Sequence, residues 1–137
     1  MAITIPYLIF NGEAKEAMDY YGYVFNMEQS WFEVYSEMPQ YQNDPAVIGK
    51  VSHGRLALNG EDLLYFEDTL GEQTTTGTLV NLSFQFQDEE TIQVAYQRMT
   101  ENSTIHIPLG KAPWGATYAQ LTDRFGVQWK LNYHPID

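Results

Sequence analysis

A chain of 137 residues is sized for one compact domain, and its 44% apolar and 15% aromatic content supplies a core without staples. Cysteine is absent, which excludes a disulfide framework, a thiolate nucleophile and a zinc–thiolate site. Eighteen acidic residues against seven basic ones give a net charge of −11, which repels phosphate backbones and anionic lipids and excludes nucleic acid as an expected partner.

The first element in chain order is a strand over Ile3–Phe10. No signal peptide is expected, since Met1-Ala2-Ile3-Thr4-Ile5-Pro6 lacks a basic n-region and an h-region. No apolar run exceeds four residues (Tyr7–Phe10, Leu63–Phe66), so no membrane span is expected and a cytoplasmic setting is the default. Asn11-Gly12 marks a helix start. Ala14, Ala17, Met18, Tyr21 and Phe25 then recur at helical spacing, with Glu13, Lys15, Glu16 and Asp19 on other faces.

Strands over Gln29–Tyr35, Lys50–Leu58 and Asp62–Glu67 follow, the last two joined by the hairpin signal Asn59-Gly60. The intervening Glu37–Ile48, with Pro39, Asp44 and Pro45, reads as a lid, a dimer arm or merely a mobile loop. Asp68–Gly77 reads as a linker. A strand over Thr78–Gln87 leads to Asp88, a good N-cap, with Glu89 and Glu90 suited to the first helical turn. The helix buries Ile92, Ala95, Tyr96 and Met99 and stops at Asn102-Ser103. Strands over Thr104–Pro108, Thr117–Thr122 and Gln128–Tyr133 complete the chain, with Asp123-Arg124 shaping the last turn and Gly126 permitting positive φ.

The order strand–helix–three strands occurs twice, and the two halves align in pattern about 75 residues apart, Ala17 with Ile92 and Tyr21 with Tyr96. The expected fold is therefore α+β. Two paired βαβββ modules, about 1–68 and 78–137 of a single 1–137 domain, would form a curved mixed sheet with helices on the convex face. The concave face of such a sheet can hold a ligand.

Several segments carry a family likeness in their order and spacing: Pro6-Tyr7-Leu8-Ile9-Phe10-Asn11-Gly12, Glu16-Ala17, Tyr20-Tyr21, Val24-Phe25, Lys50-Val51-Ser52-His53, Pro108-Leu109, Trp114-Gly115-Ala116 and Asp123-Arg124-Phe125-Gly126-Val127-Gln128-Trp129. With them the chain resembles the glyoxalase/bleomycin-resistance/extradiol-dioxygenase (vicinal oxygen chelate) superfamily, and most of all its PhnB-like subgroup. The resemblance covers nearly the whole chain. It implies paired βαβββ modules and usually a homodimer, and no particular reaction.

Catalytic members of that superfamily hold a divalent ion through residues of strands one, four, five and eight. The matching positions here are Pro6, Glu67, Asn81 and Lys130. One carboxylate beside a proline, an amide and a cation falls short of the three or four ligands such an ion needs. No metal and no other cofactor is therefore expected; there is no G-x-G-x-x-G, P-loop or H-E-x-x-H pattern either.

Strand alternation nominates the ligand pocket instead. Pro6 and Leu8 come from the first strand, Tyr65 and Glu67 from the fourth, Asn81, Ser83 and Gln85 from the fifth, and Gln128, Lys130 and Asn132 from the eighth. Leu82, Phe84 and Phe86, and Val127, Trp129 and Leu131, should pack under the helices. Glu67 and Lys130 are expected to pair where relatives keep the ion. His53 and Arg55, two apart on one strand, could hold an anion or make local hydrogen bonds, and Trp114 could line the pocket mouth or pack at a dimer seam.

Three readings of function follow. The first is a metal-free, dimeric small-molecule binding protein. The second is a superfamily enzyme, either a metal-free isomerase or lyase or an atypical metal-dependent transferase. The third is an interaction protein with a vestigial pocket.

Overall fold

A computed structural model describes residues 2–135. Among the described residues, eight strands and two α-helices divide into two units, Met1–Thr74 and Thr75–Asp137, each a βαβββ module with its own mixed four-stranded sheet. The chain thus adopts the α+β plan that its repeated pattern implies.

The first unit contains β1 (Tyr7–Phe10), α1 (Ala14–Phe25), β2 (Glu28–Val34), β3 (Val51–Leu58) and β4 (Glu61–Asp68). Its sheet runs β1-β4-β3-β2, with β1 parallel to β4 and the remaining pairs antiparallel. The apolar stripe of α1 buries Ala14, Ala17, Met18, Tyr21, Val24 and Phe25. Against it lie Phe66, fully buried, and Phe10, whose ring stacks on Phe66 with centroids 6.3 Å apart. The ladder starts at Tyr7 instead of Ile3, because Pro6 has no N–H; its carbonyl still accepts from the Tyr65 amide. Asn59 and Gly60 both take positive φ (53° and 83°) in the β3–β4 hairpin, as the Asn-Gly signal requires.

One expectation in this unit needs correcting. Asp68 does not open the linker: it is the last residue of β4 and fully buried. Its Oδ1 accepts from the amides of Gly12 and Ala14 (2.8 and 3.0 Å) and its Oδ2 from Val51 (2.9 Å). The start of α1 is thus capped by a carboxylate from a distant strand, since the N-cap residue Glu13 makes no side-chain cap bond. The segment 37–48 holds short 3-10 turns at Pro39–Tyr41 and Pro45–Val47, and Val47 is buried.

The second unit contains β5 (Leu82–Gln85), α2 (Glu89–Met99), β6 (Thr104–Lys111), β7 (Thr117–Thr122) and β8 (Gln128–Tyr133). Its order, β5-β8-β7-β6, repeats the parallel and antiparallel pairings of the first. Asp88 caps α2 by accepting from the Thr91 amide at 2.8 Å, as its position suggested. Ile92, Ala95 and Met99 of α2 are buried, and α2 packs against β8, whose Trp129 and Leu131 are buried as well. β6 passes Pro108 and reaches Lys111 because register shifts on either side of Ile107 absorb the missing N–H. The β7–β8 turn is closed by Asp123, only 4% exposed, which accepts from the amides of Phe125 and Val127 and from Trp129 Nε1. Gly126 in that turn has φ 90°, and a Cβ there would come within 2.5 Å of Thr76 Cγ2.

Candidate functional site

Register decides which side chains share a face. In the first sheet Tyr7 lies opposite Tyr65 and Ile9 opposite Glu67, while Arg55 lies opposite both Tyr65 and Trp31. His53, two residues before Arg55 on β3, projects to the same side. This face collects Tyr7, Ile9, Trp31, His53, Arg55, Tyr65 and Glu67, and α1 covers the other. Leu8 is opposite Phe66 and so belongs to the helix side, not to the ligand side where sequence alternation put it.

A chain of hydrogen bonds runs across the face. Tyr7 Oη donates to Glu67 Oε1 at 2.8 Å and lies 2.9 Å from His53 Nδ1. Arg55 Nε donates to His53 Nε2 at 2.9 Å. Arginine can only donate, so Nε2 must carry the lone pair and the proton sits on Nδ1. His53 is therefore a neutral imidazole that donates to Tyr7, and Tyr7 in turn donates its O–H to Glu67. Arg55 Nη1 is 3.9 Å from Asp62 Oδ2, and Ser30 donates to Asp62 Oδ1 at 2.6 Å.

Aromatic rings hold this chain in place. The Arg55 guanidinium carbon lies 4.9 Å from the Tyr65 ring centre and 5.7 Å from that of Trp31. Tyr65 meets the rings of Tyr7 and His53 edge-on.

The electrostatics agree with the donor directions. Burial, and then the hydrogen bond to Glu67, push the Tyr7 phenol up to about 12. Burial and the neighbouring Arg55 cation hold His53 below the usual imidazole range. Burial and the Glu67 charge raise Tyr35, whose hydroxyl donates to the Asp68 carbonyl at 2.9 Å. Burial leads in all three, so the face is partly withdrawn from water.

The second sheet brings together another set. Ser83 is opposite Lys130, Gln85 opposite Asn132, Gln120 opposite Lys130 and Tyr118 opposite Asn132. Amides and hydroxyls bond along it: Gln85 Nε2 to Ser83 Oγ at 2.6 Å, Asn132 Nδ2 to Gln85 Oε1 at 2.8 Å, and Gln120 Nε2 to Tyr118 Oη at 2.8 Å. Asn81 precedes β5, and its amide donates to the Thr78 carbonyl. Trp114 is 58% exposed in the turn before β7 and meets Tyr118 edge-on.

Among the expected pocket residues, His53, Arg55, Tyr65 and Glu67 therefore converge in one unit, and Ser83, Lys130 and Asn132 share a face in the other. Tyr7, Ile9 and Trp31 were missed. For β1 a signal was available: Phe10, next to the helix start, has to face α1, and that fixes Leu8 on the same side.

The residues at the superfamily's ion-binding positions do not fit a divalent ion. Pro6 has no side-chain donor, Lys130 carries a charge of the wrong sign, and the Asn81 amide is turned to a backbone carbonyl. Glu67 Oε1 is taken by the Tyr7 proton. Among the described residues, no three His, Cys, Asp or Glu side chains cluster as a metal site, and no helix is long and apolar enough to cross a membrane.

Comparison with known proteins places these observations. A family model described as 3-demethylubiquinone-9 3-methyltransferase matches residues 2–132. Protein YjdN of Escherichia coli strain K12 is 23% identical over 136 residues, covering 93% of this chain and 92% of YjdN. A PhnB protein structure from Bacillus cereus superposes with a TM-score of 0.80 at 28% identity, covering 96% of this chain and 99% of the other. PA1353 from Pseudomonas aeruginosa superposes with a TM-score of 0.84 at 24% identity over 98% of each chain.

Proposed function

We propose, on the premise that this chain belongs to the 3-demethylubiquinone-9 3-methyltransferase family and is a PhnB-like member of the glyoxalase/bleomycin-resistance/extradiol-dioxygenase superfamily, that it works as a small-molecule-binding protein. One observation carries this reading. The polar face of the first sheet combines exposed aromatic surface, Trp31 at 51% and Tyr7 at 43%, with an oriented carboxylate and guanidinium. Apolar area with a few fixed polar groups is what small-ligand sites use, and binding of this kind needs no metal.

His53, Arg55, Tyr65 and Glu67, with Tyr7 and Trp31 added, form the proposed contact set. Asn81, Ser83, Trp114, Lys130 and Asn132 are proposed separately as candidates on the second unit, and Leu8 is withdrawn. The setting proposed is a cytoplasmic homodimer that binds neither nucleic acid nor membrane, which suits the net charge of −11.

A fragment screen by thermal shift tests the binding reading. Hits that stabilise the wild type, and lose that effect in Trp31→Ala and Tyr7→Phe, are expected. A broad library without hits, or hits indifferent to both substitutions, would overturn it. Light scattering on the same sample should give twice the chain mass.

The hydrogen-bonded chain favours a second reading. Glu67, Tyr7 and His53 form a directional path for a proton, which suits an enzyme of metal-free isomerase or lyase type. Methyl transfer, which the family description names, has no Gly-rich nucleotide loop behind it here. Elemental analysis separates the metal-dependent variant, which requires stoichiometric divalent metal removable by a chelator.

A further inference from the structure

Arg55 is held more firmly than a surface arginine needs to be. Tyr65 and Trp31 lie 4.9 and 5.7 Å from its guanidinium carbon. Its Nε is fixed to His53 Nε2, His53 is fixed to Tyr7, and Tyr7 to Glu67. Each link allows only one donor direction, so the fork is oriented by a neutral histidine and loses none of its charge to the support.

The outer edge of that fork is unfilled. Its nearest acid is Asp62, with Oδ2 3.9 Å from Nη1, near enough to attract and too far to hydrogen-bond. The other Asp62 oxygen accepts from Ser30. Among the described residues no acceptor meets the Nη hydrogens at hydrogen-bond distance, and the side chain is 38% exposed, so the edge can be reached from solvent. A planar guanidinium with its ring neighbours in place and two outward nitrogens free matches the two oxygens of a carboxylate.

We infer that Arg55 is a preset carboxylate fork, and that the ligand of this face is a small monoanion whose carboxylate sits beside a flat apolar body. This rests on the reading of the first sheet's polar face as a ligand site. Trp31, opposite Arg55 and half exposed, supplies the surface for the flat body. Asp62 and Glu67 set the limit on charge: a dianion such as phosphate meets two carboxylates on the way to one guanidinium, and a monocarboxylate meets less repulsion.

The test titrates the intact protein with benzoate, benzamide and inorganic phosphate, reading the Arg55 Nε–H and Trp31 indole N–H signals by ¹H–¹⁵N NMR. Saturable shifts of both signals with benzoate are expected, with benzamide and phosphate each weaker by about tenfold or more. Arg55→Lys keeps the charge and loses the fork, and should weaken benzoate by about tenfold. Asp62→Asn leaves the fork intact, removes its internal competitor and should strengthen benzoate severalfold, which guards against an Arg55 variant that fails to fold.

Equal binding of benzoate and benzamide would overturn the inference, as would phosphate binding as tightly as benzoate, or a benzoate affinity unmoved by Asp62→Asn. Failure of benzoate while other fragments still bind through Trp31 and Tyr7 sinks the carboxylate fork and leaves the binding reading standing. Failure of every fragment sinks both.

Discussion

The two sheets share a strand order and pairing scheme, yet their polar faces hold different chemistry. In the first, an arginine, a neutral histidine, a phenol and a carboxylate are linked in one directional chain. In the second, the bonds are between neutral amides and hydroxyls. The repeated backbone fixes which positions share a face, and the residues placed there decide what the face can do.

The units also differ in how they use a buried aspartate. Asp68 joins segments far apart in sequence: its partners Gly12 and Val51 are 56 and 17 residues away. Asp123 works locally, with partners two, four and six residues away. Asp68→Ala leaves three amides without their acceptor at the junction of α1, β3 and β4. We expect it to cost about 3–5 kcal/mol in urea unfolding, more than any other substitution proposed for this protein. Asp123→Ala should cost less, about 2–3 kcal/mol, because the Phe125 and Val127 amides are only part-buried and can turn to water. A larger loss at Asp123 than at Asp68 would break the contrast between long-range and local anchoring.

Much of this architecture was legible from residue order. Helical spacing located α1 and α2, Asn59-Gly60 gave the hairpin, and Asp88 gave a cap, because each of these signals is local. Asp68 was not legible: its role depends on three amides brought to it by folding, and next to Gly71 and Gly77 it reads as linker. The site divides in the same way. Strand alternation found His53, Arg55, Tyr65 and Glu67. It failed on β1, where Tyr7-Leu8-Ile9-Phe10 is apolar throughout and gives no phase, so Leu8 stood where Tyr7 belongs. Trp31 was missed because it takes its place through a cross-strand register that no short-range pattern displays.

Acid titration sharpens the comparison of the two faces at lower amplitude. His53 is held below its ordinary 6.5 in the folded protein, so between 6.5 and that lower value the unfolded chain binds the extra proton. The stability due to neutral His53 is complete above 6.5 and declines as pH falls through this window. His53→Gln, which cannot titrate, should flatten that part of the stability–pH curve. An unchanged acid slope would mean that the imidazole is not held neutral between Arg55 and Tyr7.

The smallest expected effect is spectroscopic and lies at the other end of the pH scale. The Tyr7 phenol is raised from 10.0 to about 12, so its contribution to stability is intact below 10 and is lost as pH rises toward 12. Phenolate absorbance should show Tyr7, and with it Tyr35, ionising later than an ordinary tyrosine. Glu67→Gln removes the charge that helps to hold that proton, and the late step should move down toward 10 with little change in fold. Burial is the first cause of the shift and Glu67 the second, so a partial downward move is expected, not a full return. A late step that ignores Glu67→Gln would mean that Tyr7 does not donate a hydrogen bond to Glu67, and the chain that orients Arg55 would lose its far end.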